Sequence, residues 1–265
     1  MQLIDFYREA ATSIRRDLEK QKRLLNMETI SELCAAHQRQ HRDLKTALTA
    51  LEARKGKTGK KLIAGIQQYY PQGGWGVGNL DHLTFAQKCE AAGAAALGVN
   101  TEKNFCEGAP CMLTGITHLV KIPVIRWDFL LDAYQVLQTR LWVADAARIV
   151  VPMLDALELN DILQHAALHN IEIIAEVHAD DDIERLLDNT GKVYPAVSGM
   201  LVNGNCVNDT AAAADLLKKI PADTPALFFS GQFSSDEIAN LPADCVALFG
   251  KVMHESVPGT VFARF

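Results

Sequence analysis

The stretch RIVVPMLDALELNDILQHAALHNIEIIAEV, residues 148–177, contains the repeating unit of the fold. Two short apolar runs, Arg148–Val151 and Ile171–Val177, flank a segment at 161–169 whose apolar residues have helical spacing. Short runs that are nearly all apolar are typical of strands in a parallel sheet that is covered by helices. The stretch therefore predicts one strand–helix–strand unit.

The same pattern continues in both directions from residue 61 onward. Eight runs at the spacing of a βα unit predict a closed (β/α)8 TIM barrel, a fold of the α/β class. An open, doubly wound sheet is the alternative, but the glycine-rich loop 73–78 lacks the spacing of a dinucleotide-binding motif. The other six runs are Leu62–Ile66, Ala95–Val99, Pro123–Trp127, Val197–Val202, Ala226–Phe229 and Val246–Phe249, and 211–219 is a further helical segment.

Residues 1–55 follow a different pattern, without any strand-like run. Their apolar positions, such as Leu44, Leu48 and Leu51, recur at helical spacing among many charges. They predict an N-terminal helical extension, which a linker rich in Lys and Gly ends before the barrel at 61–265. A single domain of 265 residues is within the length that TIM barrels reach.

Composition excludes several classes of function. Apolar residues make up 49% and charged residues 22%, as in ordinary soluble proteins. A net charge of −6 without a basic face argues against a nucleic-acid partner. We expect no membrane span, because no window holds eighteen apolar residues in a row. Without a secretory pattern, the six cysteines are expected to be reduced, and the protein to be cytoplasmic.

Several segments within residues 99–187 match those of a known family in order, spacing and residue type. They are Asn100–Phe105 with Gly108, 122–135, 144–146 and 174–178. Through them the chain resembles indole-3-glycerol phosphate synthase, and its N-terminal helices are similar to that family's extra helix near the barrel mouth. The resemblance implies a TIM-barrel enzyme that closes and decarboxylates a carboxyphenylamino deoxyribulose phosphate by general acid/base catalysis, without a metal or an organic cofactor.

The lysines that this resemblance leads us to expect are missing. At the first strand, Gly65 replaces the family's glutamate, Gln67 its lysine and Tyr70 a serine that contacts phosphate. At the third strand, Trp127 replaces the lysine that is the proposed general acid. Neither glutamine nor tryptophan titrates near neutral pH, so neither can donate and recover a proton. Each lost acid/base group typically costs roughly 10²–10⁴-fold in rate.

Glu176 and Asn203 remain as candidate catalytic residues after the fifth and sixth strands. Glu176 is either the surviving acid or base, or a carboxylate kept for structure. Arg148 is a charge in an otherwise apolar run, and a buried charge needs a partner. We therefore hypothesise that Arg148 points inward and pairs with Glu176. The alternative is an outward arginine that lies between helices.

The resemblance also assigns positions around the substrate. Phe105 and Phe129 correspond to residues that line the pocket for the substrate's aromatic ring, and Gln67, Trp127 and Arg148 complete the candidate pocket. The alternative for Phe105 and Phe129 is a place in the core, which is the more frequent role of aromatic residues in a barrel mouth. The bulk of Trp127 predicts a narrowed, aromatic mouth. Such a mouth suits a small aromatic or apolar ligand better than a polyanionic one.

Phosphate binding is expected after the seventh and eighth strands. Gly231, Gly250 and Lys251 are the candidates there, although both glycines fit plain turns equally well. A phosphorylated aromatic ligand is therefore also compatible with the sequence.

No metal site is expected from residue spacing. His165 and His169 are four residues apart on a helix, but the glutamate of zinc-protease motifs is absent. Cys106 and Cys111 lack the Cys-x-x-Cys spacing of structural zinc sites.

Three functions stay open at this level. The first is a degenerate paralogue without catalysis that binds a ligand or modulates a partner. The second is an enzyme with altered chemistry on a related aromatic or phosphorylated substrate, using Glu176 and Asn203. The third is a genuine synthase, a carboxy-lyase of tryptophan biosynthesis, with relocated groups such as Lys103 or Lys251. The missing proton donors favour the first.

Overall fold

Eight parallel strands form a closed barrel, which confirms the predicted TIM fold. The computed structural model describes residues 3–36, 41–50, 59–71, 74–78, 80–229, 233–250, 253 and 258–263. Each strand pairs with the next in the chain, and β8 returns to pair with β1. The strands are β1 (Lys61–Ile66), β2 (Ala96–Val99), β3 (Val124–Arg126), β4 (Ala146–Val150), β5 (Glu172–Val177), β6 (Val197–Asn203), β7 (Ala226–Phe229) and β8 (Cys245–Leu248).

Helices alternate with these strands and cover the outside of the barrel. Acidic residues begin several of them: the Asp155 side chain, for example, accepts hydrogen bonds from the first turn of α7 within a capping box. None of the helices in the described ranges is long and apolar enough to cross a membrane. The helices are α1 (Leu3–Leu24), α2 (Met27–Ala36), α3 (Leu44–Thr49), α4 (His82–Ala92), α5 (Pro110–Leu119), α6 (Ala133–Leu141), α7 (Ala156–Leu168), α8 (Asp180–Glu184), α9 (Thr210–Leu217), α10 (Ser235–Ala239) and α11 (Pro258–Phe262).

The loop after β1 contains a small hairpin in which Tyr69–Tyr70 pairs antiparallel with Trp75–Gly76. This hairpin occupies the glycine-rich segment of the sequence. Because it follows a strand at its C-terminal end, it lies at the barrel mouth, where TIM barrels build their sites.

The N-terminal helices close the barrel at both ends. At the N-terminal ends of the strands, Leu44 and Leu48 of α3 pack into the barrel interior. The backbone N–H groups of Leu44 and Lys45 donate to the Glu172 carboxylate at 2.6 and 2.9 Å. The predicted helical extension thus contains α1–α3, and residues 51–58 lie outside the described part of the chain.

Helix α1 crosses the opposite end, over the mouth. Phe6 is buried there, and its ring lies edge-on to the rings of Phe105, at 5.6 Å, and Phe129, at 5.8 Å. Ion pairs hold the rest of the helix: Arg15 with Glu158 at 2.7 Å, and Lys22 with Asp132 at 2.5 Å. Exposed pairs of this kind contribute little, so the buried face of α1, to which Phe6 belongs, is the main anchor of the helix.

We predict that Phe6→Ala lowers the free energy of unfolding by about 3–5 kcal/mol, because it removes a buried ring from this anchor. Leu24→Ala, at the other end of the same helix and 89% exposed, is the matched control and should change it by less than about 0.5 kcal/mol. Urea denaturation followed by circular dichroism measures both. Equal effects of the two substitutions would show that α1 is not anchored through Phe6.

Candidate active site

Glu176, near the end of β5, is the centre of the polar network at the barrel mouth and is fully buried. Its carboxylate accepts hydrogen bonds from the Tyr7 hydroxyl at 2.9 Å and from Asn203 Nδ2 at 2.9 Å. His178 Nε2 lies 2.9 Å from the same oxygen, Oε1. Arg148 Nη1 donates to the other oxygen, Oε2, at 2.7 Å. Arg148 therefore points inward and forms the ion pair that the sequence hypothesis describes.

This network keeps Glu176 ionised. Burial raises the pKa of the carboxyl, but the Arg148 charge and the hydrogen bonds from His178 and Asn203 outweigh burial and lower its pKa to about 2. Burial and the Glu176 charge raise the pKa of Tyr7 well above its usual value. A general acid or base works best with a pKa near the ambient pH. The network therefore has the character of a fixed ion pair.

The two positions of the missing lysines are occupied by side chains with local contacts. Gln67 Nε2 donates to the carbonyl oxygen of Tyr69 at 2.8 Å, and its Oε1 accepts from Asn100 at 3.2 Å. Trp127 is buried, and its ring centroid lies 4.8 Å from that of Phe249. Neither residue supplies a proton donor that titrates near pH 7.

An aromatic plug, formed by Trp127, Phe229 and Phe249, fills the barrel interior at the mouth. The centroid of Phe249 lies 5.6 Å from that of Phe229, in addition to its contact with Trp127. A Cβ atom added at Gly65 would lie only 2.2 Å from the Phe249 ring. The space in which the resemblance places a glutamate is therefore filled by this ring. Sequence analysis identified Gly65 but missed Phe249, which is nearly two hundred residues away.

The predicted ring-pocket residues contact the protein's own N-terminal helix. Phe105 and Phe129 both lie against Phe6, and the Tyr7 ring is 5.8 Å from that of Phe129. Sequence analysis missed Phe6 and Tyr7 because it assigned no site residues to the extension. The available signal was an aromatic pair at the start of a helix that is otherwise rich in charges.

Among the described residues, three cavities lie at the mouth. One of about 460 Å³ lies between α1 and the loops that follow β2 and β3. The inner one, between the plug and α1, measures about 80 Å³, well below the roughly 300–1,000 Å³ of small-molecule pockets. The outer one measures about 410 Å³ and lies between α1 and the loops that follow β4, β5 and β6. The narrow inner cavity agrees with the predicted aromatic mouth. The residues that line the outer cavity include Tyr7, Arg8, Met153, His178 and Cys206.

The predicted phosphate positions are only partly described. Gly231 and Lys251 lie outside the described residues. Gly250 has a left-handed backbone, with φ of 83°, and it forms a backbone hydrogen bond with the Tyr70 hydroxyl. Tyr70 is the residue that replaces the family's phosphate-contacting serine. Its hydroxyl therefore contacts the Gly250 backbone at the position where a phosphate was expected.

Lys103, one of the two lysines considered as a relocated acid or base, faces away from Glu176. Its Nζ pairs with Asp17 of α1 at 2.9 Å, and 60% of its side chain is exposed.

Two further polar groups at the mouth were not identified from the sequence. His178 follows β5, and Cys206, a free thiol, follows β6. The Cys206 Sγ lies 3.3 Å from His178 Nε2, and one ligand-type atom from each of Glu176, His178 and Cys206 lies within 4.8 Å of the others. The signal for them was their position just beyond the ends of adjacent strands.

A closed parallel barrel with polar side chains converging at the C-terminal ends of its strands defines a TIM-barrel protein with a site at the mouth. The model of the family described as indole-3-glycerol phosphate synthase matches residues 8–255. The chain belongs to the indole-3-glycerol phosphate synthase family.

Relatives agree with this assignment, and solved structures agree with the fold. The chain is 32% identical to the indole-3-glycerol phosphate synthase of Chlorobium luteolum over 191 residues, 72% of each chain. It is 32% identical to that of Pelodictyon phaeoclathratiforme over 68% of this chain and 70% of the relative. The tryptophan synthase alpha subunit of Legionella pneumophila superposes with a TM-score of 0.59 at 14% identity, covering 83% of this chain and 95% of that one. At that identity the superposition shows the fold alone.

We predict that Gly65→Ala lowers the free energy of unfolding by about 1–3 kcal/mol, because the new methyl group meets the Phe249 ring. Phe249→Leu in the same chain should recover part of the loss, since a smaller side chain makes room for the methyl. Gly259→Ala, where no atom lies within 4 Å of an added Cβ, is the control. Thermal and urea unfolding measure all three variants. A Gly65→Ala variant as stable as Gly259→Ala would show that the Phe249 ring moves at little cost to make room for the methyl group.

The contribution of Glu176 to the stability of the fold should depend on pH. Because the folded pKa of Glu176 lies below its ordinary value of 4.5, its contribution to stability is present above that pH and is lost as the pH falls towards 2. The advantage of the wild type over Glu176→Gln in urea unfolding should therefore be greatest above pH 5 and shrink towards pH 2. Glu184→Gln, an exposed carboxylate on α8, is the control. A constant difference between wild type and Glu176→Gln from pH 6 to pH 2 would contradict the assignment.

Proposed function

We propose that this cytoplasmic protein does not carry out the ring closure and decarboxylation of its family, and that it acts as a ligand-binding paralogue. The observation that carries the proposal is the aromatic plug. The Phe249 ring occupies the space next to Gly65, and Trp127 fills the position of the second missing lysine. The two lysines are thus replaced by Gln67 and by the packed ring of Trp127, neither of which supplies acid/base chemistry.

The surviving polar residues support this proposal. Glu176 forms an ion pair with Arg148 and accepts hydrogen bonds from several neighbours, among them Asn203. Using it as a base would require that these contacts break and that the Arg148 guanidinium stays buried without a partner, which costs several kcal/mol. The inner cavity of about 80 Å³ also leaves little room for a phosphorylated sugar that carries an aromatic ring.

The outer cavity is the proposed ligand site. Its walls combine Tyr7, Met153 and the ring of His178, which stacks on Tyr7 at 5.8 Å. Flat aromatic ligands suit a wall of stacked rings and a flexible thioether. A phosphate group is less favoured in the described part of the mouth, because the Gly250 backbone is hydrogen-bonded to Tyr70.

An enzyme with altered chemistry is the second candidate. It is supported by His178 and Cys206, which face the outer cavity beside Glu176 and are residue types that transfer protons or attack carbon centres.

Formation of indole-3-glycerol phosphate, followed by its fluorescence, tests the first proposal. With two acid/base groups replaced, we expect turnover at least about 10⁴-fold below that of the Chlorobium luteolum relative in the same assay. Rescue of a tryptophan auxotroph, with the relative as positive control, tests the same point in cells. Turnover or growth at the level of the relative would overturn the proposal.

Titration calorimetry with anthranilate and with inorganic phosphate tests the ligand site. We expect heat from anthranilate and none from phosphate at the same concentration. Met153→Trp should abolish the anthranilate signal by filling the outer cavity. Leu157→Trp, at a nearby position that is 81% exposed, is the matched control and should keep it. Tighter binding of phosphate, or anthranilate binding that Met153→Trp leaves unchanged, would rule out this site.

A further inference from the structure

Three side chains of different chemistry converge at the inner wall of the outer cavity. They are Glu176 at the end of β5, His178 in the loop that follows, and Cys206 after β6. His178 Nε2 lies 2.9 Å from Glu176 Oε1 and 3.3 Å from Cys206 Sγ. A carboxylate oxygen, an imidazole nitrogen and a thiol sulfur are the three ligand types that zinc takes in proteins.

The spacing of these atoms is close to that of a tetrahedral site. Zinc bonds of about 2.0–2.3 Å place neighbouring ligand atoms roughly 3.3–3.7 Å apart. The 2.9 Å between His178 Nε2 and Glu176 Oε1 is shorter than that by a few tenths of an ångström, the 3.3 Å between His178 Nε2 and Cys206 Sγ lies at the lower end of the range, and all three atoms lie within 4.8 Å of one another. The side chains of His178 and Cys206 are partly exposed, so small rotations can widen the first distance.

The surroundings have the features of a metal site. Tyr7 and Asn203 donate to the same carboxylate and fix its orientation, as outer partners of metal ligands do. Arg148 bonds to Oε2. A metal at Oε1 therefore takes the place of the His178 contact and of one of the hydrogen bonds that Tyr7 and Asn203 donate to this oxygen. His178 and Cys206 line the outer cavity, so a fourth position faces a space that water or a ligand can enter.

We propose that Glu176, His178 and Cys206 bind one Zn²⁺ ion, with a fourth position open to the outer cavity. Cys206 binds as the thiolate, so its proton passes to solvent when the metal enters. The proposal goes beyond the proposed loss of synthase activity and does not depend on it. Zinc binding is measured without substrate, so a negative result would overturn the zinc proposal and leave the proposed loss of synthase activity untouched.

The chain stripped of metal is titrated with Zn²⁺ by calorimetry, and bound zinc is measured after dialysis by elemental analysis. We expect one equivalent per chain. Cys206→Ser and His178→Gln should each weaken binding by at least about 100-fold, because each removes a ligand. The matched controls are Cys111→Ser, an exposed cysteine, and His165→Gln, one of a pair of histidines on the surface of α7; both should bind like the wild type.

Titration with Co²⁺ gives a second readout that does not depend on variants. A bond between Co²⁺ and the Cys206 thiolate produces a charge-transfer band in the near ultraviolet, and Cys206→Ser should remove it while Cys111→Ser keeps it. Circular dichroism verifies that each variant is folded. Folded wild-type protein without the band, binding below one tenth of an equivalent, or loss of binding only in the surface controls would each overturn the proposal.

Discussion

The buried ion pair between Arg148 and Glu176 is the interaction on which the barrel mouth depends. A carboxylate that is fully removed from water is stable only with a counter-charge and hydrogen-bond donors. Arg148 supplies the charge from the neighbouring strand, and its guanidinium lies 5.3 Å from the Trp127 ring centroid and 5.1 Å from that of Phe129. The aromatic residues that narrow the mouth therefore also form the environment of the arginine that neutralises Glu176.

Side chains from both ends of the chain complete this arrangement. Tyr7 of α1 donates to Glu176, and Phe6 packs on Phe105, so the N-terminal helix is part of the mouth. Phe249, just after the last strand, fills the space next to Gly65 of the first. Because the inner volume is occupied in this way, the space for a ligand lies outside it, between α1 and the loops. In that outer space, His178 and Cys206 are among the polar groups that a ligand would contact.

The parts of the fold that depend on local pattern were predictable. Runs such as Ile171–Val177 are mostly apolar over the length of a strand, and β5 lies within that run. The inward direction of Arg148 was one of two hypotheses, because a charge in an apolar strand either finds a buried partner or extends outward between helices; the structure shows the inward one. Phe249 and Phe6 were not predictable, since their roles depend on which residues face each other across the closed barrel. The contact between His178 and Cys206 likewise joins two loops whose relative positions no sequence spacing specifies.

Retention of Glu176 and Asn203 does not by itself indicate retained chemistry. A lysine beside a carboxylate can perform two tasks, since it supplies positive charge and it can give up a proton. Arginine supplies the charge, but its pKa is too high for it to give up a proton in a protein. Gln67 and Trp127 stand where the resemblance places lysines, and Arg148 supplies the positive charge beside Glu176 in a side chain that does not give up its proton. The ion pair with Arg148 therefore explains, without reference to catalysis, why a carboxylate is stable in this buried position.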